Sequence, residues 1–165
     1  MATTHGVVQI HSAPSALCPH VDWAVGGALG VPVHLDWTPQ PAARASYRAE
    51  YSWTAPVGTA AKLASALKGW QRLRFEITED ATAGSEAVRY SYTPALGIFH
   101  ANVGLHGDIM INEGRLKAAI TADTLGRRSL HDALADLLGT AWDDELEVFR
   151  QARDGADVRW LHQVV

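Results

Sequence analysis

Thr59-Ala-Ala-Lys-Leu-Ala-Ser-Ala-Leu-Lys-Gly-Trp-Gln-Arg-Leu-Arg-Phe-Glu-Ile77 changes its period half-way along. In its first part Ala60, Leu63, Leu67 and Trp70 share one face at helical spacing, with Lys62, Ser65 and Lys68 outside. Thr59 is placed to cap this helix and Gly69 to end it. From Leu73 the spacing drops to two. Leu73, Phe75 and Ile77 alternate with Arg72, Arg74 and Glu76, the pattern of a half-buried strand.

Toward the N-terminus, Val7-Val-Gln-Ile10 reads as a short strand stopped by Ser12-Ala-Pro14-Ser15. Pro19 suits the first turn of a helix, in which Val21, Ala24, Val25, Ala28 and Leu29 form a buried stripe. At about 100° per residue Trp23 falls on the opposite side, beside Gly26, Gly27 and Gly30. Each glycine costs a helix about 1 kcal/mol relative to alanine, so close approach of another backbone is expected there. Val31, Val33, Leu35 and Trp37 then alternate with Pro32, His34 and Asp36 as a second strand. Thr38 to Ala45, with Pro39 and Pro41, reads as a loop, and Tyr47, Ala49, Tyr51 and Trp53 as an antiparallel third strand. The order is βαββαβ, that of a ferredoxin-like split βαβ core.

Toward the C-terminus, Glu79 to Glu86 is a polar loop and Val88, Tyr90 and Tyr92 mark a further strand. Ile98–Val103 and Asp108–Ile111 flank Gly104-Leu-His-Gly107, predicting an added hairpin. Asn112 caps a helix carrying Leu116, Ala119 and Ile120; Ser129, with Asp132 three residues on, opens another lined by Leu130, Leu134, Leu137 and Leu138. Thr140 caps the last, whose Asp143-Asp144-Glu145 run suits a helix N-terminus. The expectation is one α+β domain over residues 1–165, closed by C-terminal helices.

Composition narrows the function classes. With 165 residues, 47% apolar and 19% charged, the chain has material for a core. A net charge of −4 with scattered Lys and Arg gives no footprint for nucleic acid. No run reaches the ~20 apolar residues of a membrane span, and the start lacks a signal-peptide pattern. One cysteine forms no internal disulfide, in keeping with a reducing cytoplasm.

Seven runs carry a likeness: His11-Ser-Ala-Pro, Ala16-Leu-Cys-Pro-His-Val, Val33-His-Leu-Asp-Trp-Thr-Pro-Gln-Pro41, Arg72-Leu-Arg-Phe-Glu, Leu96-Gly-Ile-Phe-His-Ala, His106-Gly-Asp and Ala141-Trp-Asp-Asp-Glu-Leu. In them the chain resembles the actinobacterial family called domain of unknown function 3145. The likeness spans nearly the whole chain and carries over no catalytic or binding residue. It implies a role near fatty-acid synthesis, beside acyl-carrier-protein or acyl-CoA enzymes such as a carboxylase.

The chemical candidates are few. His11, Cys18 and His20 lie close in sequence, but their spacing matches no standard metal pattern, and no metal or cofactor is expected. Cys18 at a helix N-terminus, with His11 or His20 as base, is a candidate nucleophile; a small buried cysteine is the plainer reading. His100, His106 and Asp108 form an acid–base candidate beside Gly107, where a turn with surface histidines is the plainer reading. Trp23 with Gly26, Gly27 and Gly30 has the flatness and aromatic anchor of an interface, against which stands burial by the chain's own elements. Arg48, Arg72, Arg74 and Arg89 share the polar side of the sheet with Glu50 and Glu76. They form cross-strand ion pairs or, if unpaired, receive a phosphate or an acidic carrier-protein helix. The expectation is a non-enzymatic interaction or regulatory subunit with a protein partner, compatible with a homo-oligomer. The alternative is a small enzyme or ligand-binding domain using the His11, Cys18 and His20 loop.

Overall fold

In the computed structural model, which describes residues 1–152, the alternating runs assemble into one mixed sheet-and-helix architecture. β1 (Thr3–Pro14) leads through a 3-10 turn into α1 (Cys18–Leu29); β2 (Thr38–Pro39) and β3 (Ser46–Pro56) precede α2 (Thr59–Leu67). β4 (Arg74–Glu79), β5 (Ala87–Thr93), β6 (Gly97–Val103) and β7 (Ile109–Met110) follow, then α3 (Glu113–Thr124), α4 (Leu130–Leu138) and α5 (Thr140–Gln151). The seven strands form one sheet in the order β2-β3-β1-β4-β5-β6-β7, with every neighbouring pair antiparallel.

One face of this sheet is apolar. Val8, Ile10, Trp53, Phe75 and Ile77 project toward Val21 and Val25 of α1 and Leu63 and Leu67 of α2, and all lie in one core cluster, each at most 4% exposed. Phe75 stacks on Tyr92 at 5.1 Å, tying β4 to β5 within that layer. On the other face α5 lies across β1, β4 and β5, and buries Leu146 completely.

Several boundaries differ from the sequence reading, each for a local reason. β1 extends past Ile10 because a bulge between Ile10 and Ala13 lets the ladder resume against Tyr47 and Ser46. Val31–Trp37 forms no strand. Of the alternating set Val33 and Leu35 are buried, Trp37 is half-buried and Val31 is 51% exposed, and the Leu35 N–H donates to Asp22 Oδ1 at 3.3 Å instead of to a ladder. The edge strand is Thr38–Pro39, within the predicted loop, where Pro39 is tolerated because nothing pairs beyond it.

The helix caps also move. Gly58, not Thr59, is the N-cap of α2, and the carboxylate of Glu79 takes the Gly58 and Ala60 N–H groups at 2.8 Å each. Glu79, read as loop, is thus the buried end of β4 and caps a helix far from it in sequence. Gly139, not Thr140, is the N-cap of α5. Asn112 and Ser129 cap α3 and α4 as predicted, through Arg115 N at 2.9 Å and Asp132 N at 3.1 Å. The leucines of α4 are not fully buried, Leu130, Leu134 and Leu137 being half-buried and Leu138 44% exposed, because α4 packs chiefly against α3 and α5. Among the described residues no helix is long and apolar enough to cross a membrane.

Candidate functional site

The end of α1 builds a groove. Gly30 adopts a left-handed φ of 74° and, with Val31, returns N–H groups to the Gly26 carbonyl at 2.8 and 3.2 Å. The chain then doubles back over the helix so closely that a Cβ on Gly26 would stand 2.8 Å from the Val31 carbonyl oxygen. Gly26 is therefore buried under the chain's own backbone, the close approach expected over these glycines, while Gly27 is left open. Asp22 fixes the return: its Oδ1 accepts from Leu35 N and, at 3.0 Å, from Trp37 Nε1. Between the outer side of α1 and the Val31–His34 segment remains an apolar groove of about 700 Å³.

Trp23 and Gly27 line this groove and, among the described residues, neither is covered. Trp23 is 78% exposed, and no described atom beyond α1's own backbone lies within 4 Å of a Cβ built on Gly27. A helix-interior glycine with open space costs stability without a steric reason among the described residues. An indole standing beside it in a lined groove has the character of an anchor awaiting a partner.

The remaining candidates do not converge. His11 lies on the α5 face, its Nε2 2.8 Å from Glu76 Oε2. Cys18 is packed in the opposite core layer, with its Sγ 3.6 Å from the Pro14 carbonyl. Burial first, and the charge of Asp22 second, push its thiol pKa up, the reverse of the lowering a helix N-terminus alone would give. His20 is exposed, its ring 6.2 Å from Trp70. His100 is exposed at 4.7 Å from the Tyr90 ring, its pKa lowered by burial and by Arg115. His106 and Asp108 sit in the exposed β6–β7 turn, where Gly104 N donates to the Asp108 carbonyl at 2.8 Å. Among the described residues no group of three or more His, Cys, Asp or Glu side chains is placed to hold a metal.

The arginines of the sheet are engaged by α5. Arg74 stands 3.5 Å from Glu145 and over the Phe149 ring; Arg89 is 3.7 Å from Asp143; Arg48 donates to the Ala152 carbonyl. Arg72 is exposed before β4. The acidic run read as a helix N-terminus is also the partner of these cations. At the centre is Glu76, buried, which takes Ser91 Oγ at 3.1 Å, His11 and both Nε and Nη2 of Arg150. Burial alone would raise its pKa, but the hydrogen bonds and charges of His11 and Arg150 hold it far below the usual carboxylate range. This pair faces a cleft of about 600 Å³ lined also by Gln9, Asp36, Thr38 and Glu50.

Sequence reasoning singled out neither Arg150 nor Glu79, whose partners are 74 and 21 residues away respectively. The one available signal was an acid inside an apolar strand, which must find a cation or a donor. For Val31–His34, a proline and apolar residues directly after a helix-ending glycine were the cue to a doubled-back wall.

A family model described as "Protein of unknown function (DUF3145)" matches residues 7–163. The chain belongs to that family. Comparison with curated proteins and with solved structures returned no match. Membership in DUF3145 thus carries no residue roles, and the groove and the Glu76 network stand on geometry alone.

Proposed function

We propose that this DUF3145 chain is a non-enzymatic interaction or regulatory subunit that docks a protein partner in the groove beside Trp23. The observation that carries the reading is Trp23 itself, 78% exposed over a glycine that nothing in the described chain covers. Buried aromatic anchors dominate interface energetics, and an indole already held on a rigid helix loses little freedom on docking. The partner is to be sought first among acyl-CoA and acyl-carrier-protein enzymes of the cytoplasm, the setting the family resemblance implies. A ferredoxin-like reading of the first four strands accompanies this proposal. It is supported by the order β2-β3-β1-β4, all antiparallel, with α1 and α2 over one face.

The catalytic alternative has less support, because Cys18 and His20 stand apart from His11, which lines the cleft beside Arg150. The test is affinity purification of full-length wild type and Trp23→Ala from native cells, with mass spectrometry. A stoichiometric partner retained by wild type and reduced at least about tenfold by Trp23→Ala is the expected result. Recovery of no partner, or of one indifferent to Trp23→Ala, overturns the proposal.

A further inference from the structure

We infer that the occupant of the groove is a basic amphipathic helix of the partner protein, an assignment that rests on the docking role just proposed. Charge points to the sign. Residues 1–43 contain no Lys or Arg, and their only carboxylates are Asp22 and Asp36. Asp22 forms part of the groove wall; its Oδ1 is spent on Leu35 and Trp37, while its Oδ2 stands 4.0 Å from His34 Nδ1. Asp36 is exposed but lines the cleft that holds His11 and Arg150, not the groove. The described residues that line the groove therefore offer one carboxylate and no Lys or Arg, so a cationic flank is attracted and an acidic one repelled.

Shape points to the helix. The floor is the outer surface of α1, where Trp23 projects and open Gly27 lets a second helix axis come close. The facing wall, Val31–His34, belongs to no strand, so the groove has no sheet edge on which an extended peptide could pair. Apolar residues at i, i+3 or i+4, and i+7 would lie along Trp23, Gly27 and Val31, with Lys or Arg of the flank toward Asp22.

The probe is a synthetic helical peptide of about 18 residues, leucine on one face and lysine on the other, against a twin with glutamate for lysine. Calorimetry with the full chain should show the basic peptide binding at least about tenfold tighter than the acidic one, and weakening as salt rises. Trp23→Ala and Gly27→Leu should each reduce that affinity by about tenfold or more, with circular dichroism unchanged. Equal binding of the two peptides, or binding indifferent to both variants, overturns the assignment. So does sedimentation showing a wild-type dimer that Trp23→Ala dissociates, which would make the occupant a second copy. If neither peptide binds while native purification yields a partner dependent on Trp23, the helix assignment falls and the docking role stands.

Discussion

The two faces of the sheet are closed by different forces. Against α1 and α2 the contact is mainly hydrocarbon: Val8, Ile10, Phe75 and Ile77 are at most 1% exposed, and the buried Glu79 carboxylate at the end of β4 is spent on the α2 N-terminus. Against α5 the contact is mixed. Leu146 is buried and Trp142 packs 5.2 Å from Phe99, but Arg74, Glu76 and Arg89 meet Asp143, Glu145 and Arg150. Apolar contact is non-directional and insensitive to salt; ion pairs demand register and complementary partners. The first face thus supplies most of the stability, and the second fixes where α5 sits.

The comparison is attacked most directly at β4, where adjacent residues serve opposite faces. Phe75→Ala should cost about 4 kcal/mol in urea unfolding, from lost burial and the cavity left beside Tyr92. A loss under about 1 kcal/mol would show that the apolar face does not dominate. Gly6→Ala should cost about 3 kcal/mol or more, because its Cβ would stand 2.1 Å from the Trp53 ring and 2.3 Å from the Thr78 carbonyl.

Glu76→Gln probes the other face. It removes the buried anion that His11 and Arg150 share, leaving Arg150 with only the more exposed Asp143 and Glu147, and should cost about 3 kcal/mol. The pH dependence has a definite sign. A carboxylate whose pKa is lowered in the folded state contributes stability that is complete above its unfolded value, about 4.3, and fades as pH falls toward the folded value. Wild-type stability should therefore drop below about pH 4 more steeply than that of Glu76→Gln, the difference vanishing at strongly acid pH. Parallel profiles would detach Glu76 from α5 docking.

This contrast also explains what the sequence could disclose. Period-two alternation in Leu73–Ile77 and Val88–Tyr92 located β4 and β5, because one buried face imposes it locally. The Asn112 and Ser129 caps were legible for the same reason, since donor and acceptor lie three residues apart. The Glu79 cap and the Glu76–Arg150 pair were not, because pairing across the fold leaves no periodic trace. The alternation of Val33 and Leu35 predicted burial correctly and strand wrongly, since burial is a property of the side chain and a ladder one of the backbone. At the groove, Trp23 was placed outward by helical angle alone; Gly26 and Gly27, adjacent and identical in type, differ in use, which only the returning chain reveals.

Gly27 gives the smallest effect and separates folding from docking. Alanine there meets no described atom within 4 Å beyond α1's own backbone and removes the conformational freedom glycine has in the unfolded chain. Gly27→Ala should therefore stabilise the isolated protein by about 0.5–1 kcal/mol, while Trp23→Ala changes it by less than about 0.5 kcal/mol. Both faces of the sheet are indifferent to these positions, so whatever the native partner loses in either variant is lost from the groove. A Gly27→Ala protein that is less stable than wild type would mean that α1 is covered on its outer side by the chain itself, and the groove would then belong to the fold.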